Sequence, residues 1–516
     1  MATAQYKPLL FTTTLRNPER MKDFIKIIAS YDGQILTNQL IDNIVFDLIS
    51  KKLYIPVYVN RTPRLKAQLA VEDQPFSEVD TREIIMNSPQ KHKEAGFDWG
   101  WPSRFDTWFK FFKELGLVYY KMNERIIVSE AGNKLVLATQ EGYEHLETQV
   151  FLNAFVKYQR VNPYLKVLNN NKPLILLLNV IKELKNRIGD NSAGVSINEI
   201  PLFICWKDDN FNELTDKIMS IRDQYGLNPS NEVIYGFCKE ILELTDADEK
   251  RFKISNITGE MPDEFIRKMR LTGVITIRGM GRFIDINSLE TEKVDYILEH
   301  YSEIQNFDNE DTYFNYMSSI DHELVSADRV ITPTNEEKHS LFTRWVNEFD
   351  LDTLKDELLI LTNNRTQSRN DVFKFISEPL RLEFLTALTL QKKFVDIVVD
   401  PNYSIDDEGL PTSFVAGGAP DIVCKDHQGN VLFEVTMITG AQQCIREMNA
   451  ITRHLQDTRV TEPNSFSVIL APRIHEDTVR FSQFVKFRDN IDVATLDIPT
   501  FVGTLDTTDN VRSYRI

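Results

Sequence analysis

Residues capable of chemistry concentrate in PTSFVAGGAPDIVCKDHQGNVLFEVTM, residues 411–437. Gly417, Gly418 and Pro420 mark a loop that feeds a strand beginning at Asp421, and His427-Gln428-Gly429-Asn430 reads as a turn. The next strand carries Glu434, which shares a face with Thr436 because strand side chains alternate. A hairpin can therefore bring the Asp421 and Glu434 carboxylates together. Two ionised carboxylates side by side repel each other, and a bound Mg²⁺ relieves that repulsion. Mg²⁺ takes oxygen ligands and keeps waters and substrate phosphate in its shell. Mn²⁺ can substitute for it. Such a metal makes its water a better nucleophile and neutralises charge on a phosphate, so hydrolysis of a phosphodiester is the natural use. The bland alternative has Asp421 capping a turn and Glu434 exposed on a strand. Against it, Glu434 lies among Val431, Leu432, Phe433 and Val435, where an unpaired carboxylate is costly.

Two more acids join this pair. Glu383 sits in the apolar helix RLEFLTALTL, and Glu447 lies in GAQQCIREMNAITRHL, the helix after the Glu434 strand. Gln443 and Glu447 are four apart and share a helix face. Each of the two acids can extend a metal site or accept a proton from an attacking water, although a lone helical Glu is usually a surface residue.

The elements that must hold these acids form a mixed α/β domain from about residue 346. Strand-like FVDIVV, DIVCKD, VLFEVTM, SFSVILAP and IDVATL alternate with helices, which implies a central sheet. Upstream, one unit occurs twice. In SRFDTWFKFFKELGLVYYKMNERIIVSEAGNKL, the residues Phe105, Trp108, Phe109, Phe112 and Leu115 recur at helical spacing before Gly116, and two short strands follow. In MPDEFIRKMRLTGVITIRGMGRFIDINS, Phe265, Met269 and Leu271 line a helix, Gly273 ends it, and a hairpin follows. Helix, glycine, hairpin is the back half of a winged helix, although any helix packed on a hairpin would read the same way. Ser196-Ile197-Asn198-Glu199 forms a capping box upstream of the second unit. Thr37-Asn38 precedes a helix in the first.

The expected organisation is a multidomain α+β chain. Residues 1–140 and 141–290 form winged-helix-like DNA-recognition domains, 291–345 a helical linker, and 346–516 the α/β domain with a central mixed sheet. Candidate phosphate or base contacts on the two units are Arg104, Lys110, Lys113, Lys121, Arg267, Lys268, Arg270, Arg278 and Arg282. Any one of these alone reads as a solvated surface charge.

Composition is that of an ordinary soluble protein, with 42% hydrophobic residues and no apolar run long enough for a membrane span. The N-terminus lacks the pattern of a signal peptide. Four scattered cysteines argue against a zinc site or a disulfide framework and fit a reducing, cytoplasmic setting. Net charge is −17, unpromising for a nucleic-acid partner, but its distribution is uneven. Residues 1–140 hold 19 Lys+Arg against 16 Asp+Glu, and the remainder 40 against 60. A DNA-facing surface should therefore include the N-terminal part.

The strings RLEFLTAL, AGGAPDIV, FEVT, GAQQ…E…TRH and VILAP, in that order, resemble the catalytic domain of the AlwI-family type IIS restriction and nicking endonucleases. FTTTLRNPER…IASYDGQ and LGLVYY…VSEAGNKL also resemble that family's N-terminal part. The resemblance implies a bacterial, Mg²⁺-dependent, site-specific DNA endonuclease. Winged-helix domains would read a short asymmetric sequence in double-stranded DNA, and a C-terminal PD-(D/E)XK domain would cut nearby. Carried over residue by residue, the catalytic acids are Asp421, Glu434, Glu447 and Glu383, with Asp421, Glu434 and Glu383 around the metal. His454 matches the TRH element and reads as packing. The lysine of the wider superfamily is Thr436 here, leaving Glu447, Gln443 or a second metal to orient the nucleophile. One such core cuts one strand, so a double-strand break needs a transient homodimer, a small nuclease subunit or sequential cutting; otherwise the enzyme nicks. The alternatives are a winged-helix DNA-binding regulator with an inactive nuclease-like domain, and a repair or RNA-processing nuclease.

Overall fold

Helix α1 (Pro18–Ala29) and helix α2 (Trp101–Glu114) carry the aromatic core of the N-terminal module. In α2, Phe105, Trp108, Phe109 and Phe112 are fully buried. Each such side chain stabilises the fold by about 2–3 kcal/mol. A computed structural model describes the chain except residues 1–4, 12–17, 70–73, 141–142, 166, 190–191, 245–251, 327–331, 364–366, 416 and 516. Parts of the FTTTLRNPER string and of the 291–345 segment, and Ala416 before the strand that follows Asp421, lie outside the described residues.

Gly116 follows α2 at φ +70°, where a side chain would also collide with Met317. A two-stranded hairpin comes next, β1 (Val118–Tyr119) with β2 (Ile127–Val128). The second unit has the same order. Strand β3 (Val195–Ser196) later pairs with β5 (Phe283–Ile286), and helix α3 (Met261–Arg270) runs into β4 (Ile275–Arg278), which also pairs with β5. Between the second hairpin and the C-terminal domain the described residues are largely helical. Helix α4 (Glu310–Ser318) packs back on the first module: Tyr313 is fully buried and its hydroxyl donates to the Glu114 carbonyl at 2.8 Å.

The Glu114 side chain is itself buried and accepts a hydrogen bond from the Tyr158 hydroxyl at 3.2 Å. Burial pushes its carboxyl up to about 7 from an ordinary 4.5. A raised acid stabilises the fold while it stays protonated, and that contribution is lost as pH rises from 4.5 through 7. Glu114→Gln should therefore melt above wild type at pH 8.5, by up to about 3 kcal/mol of stability, and show little difference at pH 4. Thermal melts at the two pH values check this. A variant no more stable than wild type at pH 8.5 refutes it.

The C-terminal domain is built on helix α5 (Glu378–Lys393) and a five-stranded sheet. Its strands are β6 (Val398–Pro401), β7 (Ile422–Asp426), β8 (Gly429–Val435), β9 (Phe466–Ala471) and β10 (Val493–Asp497), side by side in that order. β6, β7 and β8 pair antiparallel, whereas β8, β9 and β10 pair parallel. The parallel half needs crossovers, supplied by α6 (Gln442–Arg459) and α7 (Glu476–Asp489). β8 and β9 are covered on both faces and read as continuous apolar runs, with all six residues of β9 buried. This is the mixed sheet expected from the alternating pattern.

Candidate active site

The β7–β8 register decides the geometry. Ile422 pairs with Phe433, so Asp421 and Glu434 face each other one step past the last ladder pair. Asp421 Oδ2 accepts the Val435 N–H at 2.8 Å, which fixes the carboxylate at the strand end. Glu434 is 7% exposed and its Oε1 meets His454 Nδ1 at 2.9 Å. His454, from the TRH string, therefore packs directly on the second acid. Glu383 reaches the same place from α5 and is also buried.

These acids repel each other. Burial, then Asp421, Glu144 and Glu434, push Glu383 well above the usual carboxylate range. Burial and the facing Glu434 push Asp421 up as well, against the pull of the Val435 N–H. Glu144, on the loop before the helix Leu146–Lys157, is an acid that sequence reasoning missed. No spacing links it to the hairpin; only the fold brings it there.

Thr436 stands two residues past the second acid, and its hydroxyl donates to Glu447 Oε1 at 3.0 Å. Alternation along the strand thus aims residue 436 at Glu447. Gln443, considered as the group that orients the nucleophile, cannot take that part. It is fully buried, its amide nitrogen donates to the Ile438 and Arg473 carbonyls, and its oxygen accepts from His475 N and Thr478 Oγ1. Its bonding capacity is consumed in pinning the loops around α6.

The expected DNA contacts divide. Arg104 lines the same cleft as Asp421, Glu434 and Glu383, stacked over Tyr54 and Trp108 at 5.3 and 5.5 Å. Lys110 is half-buried, Lys121 is exposed beside Glu124 at 2.7 Å, and Arg282 is exposed at the tip of the second hairpin. The other five are not surface charges. Lys113 is buried under Tyr120 and Tyr164 with Glu310 at 3.6 Å. Lys268 is fully buried beside Glu264. Arg267 donates to the Lys374 carbonyl, and Arg270 pairs with buried Asp406. Arg278 is bound by Asp285, Asp407 and Glu408. For Arg270 and Arg278 the reason is packing: the end of α3 and the hairpin behind it sit against the C-terminal domain, so these two cations neutralise its acids.

The model of the AlwI restriction endonuclease family matches residues 113–375 and 354–502, well over half of the chain. The chain belongs to the AlwI restriction endonuclease family. It is accordingly a site-specific endonuclease with DNA as substrate. No curated protein matches it. Among solved structures, the small subunit (R.BspD6I2) of the heterodimeric restriction endonuclease R.BspD6I is similar over 30% of this chain and 77% of its own. Identity there is 21% and the TM-score 0.27. Restriction endonuclease FokI aligns over 100% of this chain and 98% of its own, at 12% identity and a TM-score of 0.24. Its DNA-bound structure aligns over 99% and 98%, at 12% identity and 0.21. The AlwI match covers the β7–β8 hairpin and the α3 unit.

Proposed function

We propose that this AlwI-family chain is an endonuclease of the type IIS kind. Its N-terminal modules recognise a short asymmetric sequence in double-stranded DNA, and its C-terminal sheet domain hydrolyses a phosphodiester nearby in the bacterial cytoplasm. The observation that carries this reading is the meeting of Asp421, Glu434 and Glu383 in one cleft, each from a different element and each close enough to the others to repel. Among the described residues no three His, Cys, Asp or Glu side chains form a ready cage for a metal ion. Mg²⁺ does not need one, since it commonly takes one or two carboxylates and fills its shell with water and phosphate oxygens. The all-oxygen donor set and the mutual repulsion of the acids fit such an ion, with Asp421 and Glu434 holding it and Glu383 beside them. Mn²⁺ would fit the same donors.

When bound, the ion supplies Lewis acidity toward water and charge neutralisation at the phosphate. The chain does the positioning. Val435 N–H and His454 Nδ1 hold the two carboxylates in place. Thr436 holds Glu447 over the partly exposed side of the cleft, as the acceptor for the proton of the attacking water. One acid set cuts one strand, so a double-strand break calls on a second copy, a small nuclease subunit or a second event on the other strand.

Supercoiled plasmid incubated with Mg²⁺ or with EDTA tests the reading. Discrete products only with Mg²⁺ are expected: open circles if the enzyme nicks, linear DNA if two sites act together. Tight sequence-specific binding with no cutting would instead make the chain a DNA-binding regulator. Sequencing the product ends gives the recognition site and cut offset.

A further inference from the structure

The catalytic acids open onto a cleft of about 930 Å³ that the C-terminal domain does not line alone. Its other side belongs to the N-terminal module: Arg20 and Lys26 of α1, with Lys52 and Arg104 near them. Arg446 of α6, the residue before catalytic Glu447, lies in the same cleft and donates to the Thr139 carbonyl at 2.8 Å. Thus the N-terminal module meets the catalytic helix beside the cleft, and Arg20, Lys26, Arg104 and Arg446 all line it.

Such crowding is costly without an anion. Burial, and next the neighbouring Arg446, lower the Lys26 pKa from its ordinary value; Lys51 and Lys22 add to this against the opposing pull of Asp23. Among the described residues, Lys26 has no carboxylate within ion-pair distance. Arg20 sits in the first turn of α1, where the helix dipole already presents positive charge. Its guanidinium donates to the Leu53 carbonyl at 3.0 Å, which orients it, and Asp23 in the same helix offsets part of its charge. A polyanion entering the cleft relieves this repulsion.

We propose that α1 is the phosphate-gripping wall of the nuclease site, with Arg20 and Lys26 binding the backbone of the strand being cut while Asp421 and Glu434 act on it. Six residues of helix set the two cations about 9 Å apart along the axis, the reach of two to three nucleotide steps at about 3.4 Å each. The N-terminal module then contributes to the cutting site as well as to sequence reading. The proposal rests on the endonuclease reading above.

The test uses the full-length chain. Arg20→Gln/Lys26→Gln is compared with wild type and with the charge-keeping Arg20→Lys/Lys26→Arg, each checked for an unchanged melting temperature. Two readouts are taken: plasmid-cleavage kcat and KM in Mg²⁺, and affinity for a fluorescent duplex in EDTA against salt. Loss of two phosphate contacts should lower the log–log salt slope by about 1.8 and raise KM at least about tenfold. The kcat of the double Gln variant should change less than KM, and the charge-keeping variant should restore both readouts. A double Gln variant with wild-type KM and slope overturns the proposal. If the double variant does not fold, the exposed Arg20→Gln alone should lower the slope by about 0.9, and an unchanged slope overturns it equally. A wild type that never cuts would sink the endonuclease reading, while the salt slope would still decide this one.

Discussion

Asp421→Ala and Glu434→Ala should each reduce DNA cleavage by at least about a thousandfold, the rate equivalent of roughly 4 kcal/mol of transition-state stabilisation, while leaving sequence-specific binding in place. The two acids lie at the open end of the β7–β8 hairpin, away from its turn, and neither contributes to the apolar core. The fold should survive their loss. Asp421→Asn and Glu434→Gln sharpen the test. An amide oxygen can still accept the Val435 N–H, and an amide can still contact His454, so hydrogen-bonded geometry is kept while charge is removed. If the amide variants cut like wild type, the acids are structural and the site assignment is wrong. A second readout needs no catalysis. Removing one of two repelling carboxylates should raise the melting temperature in EDTA. Mg²⁺ should stabilise wild type but neither alanine variant, because a ligand stabilises only a fold that binds it.

The largest loss of stability is expected from Arg270→Ala. Arg270 Nη1 meets Asp406 Oδ2 at 3.3 Å and Nη2 donates to the Pro411 carbonyl at 3.1 Å. Asp406 is fully buried; it also accepts from Thr276 Oγ1 and from the N–H groups of Glu408 and Leu410. Burial raises its pKa, and the Arg270 charge is the main opposing pull. Taking away one partner of a buried ion pair costs about 3–5 kcal/mol, mostly as the cost of the stranded charge. Denaturant unfolding should show that loss. Adding Asp406→Asn should recover part of it, since the stranded charge goes with the second substitution. Arg282→Ala, at the exposed hairpin tip, should leave stability nearly unchanged. If Arg270→Ala instead keeps wild-type stability and loses only DNA affinity, Arg270 is a DNA contact after all.

The same contrast marks the boundary of what the sequence can say. Asp421 and Glu434 were legible because hairpin pairing is local: the short turn, His427–Gln428 in the structure, sets the register, and strand alternation sets the face. The helix–glycine–hairpin order was legible for the same reason, since helical periodicity and a glycine stop are short-range signals. Glu383 and Glu447 could be named as acids on apolar helices, but their convergence on the hairpin depends on how α5 and α6 pack on the sheet. Thr436 read as a missing lysine; only its contact with Glu447 shows what stands in that place.

Cations were the least legible residues. An Arg or Lys has the same spacing in the sequence whether it faces solvent, a phosphate or a buried acid. Arg270 and Asp406 are 136 residues apart, and Arg278 and Glu408 are 130 apart, beyond the reach of any periodicity. Arg20 and Lys26 were not legible because α1 carries no chemical motif; only the fold puts them in the cleft. The sequence by itself determined which residues can do the chemistry and the local elements that carry them, because backbone hydrogen bonding and side-chain alternation act over a few residues. Tertiary structure alone decided which charges meet, because Coulomb interaction and burial depend on distance in space and not on separation along the chain.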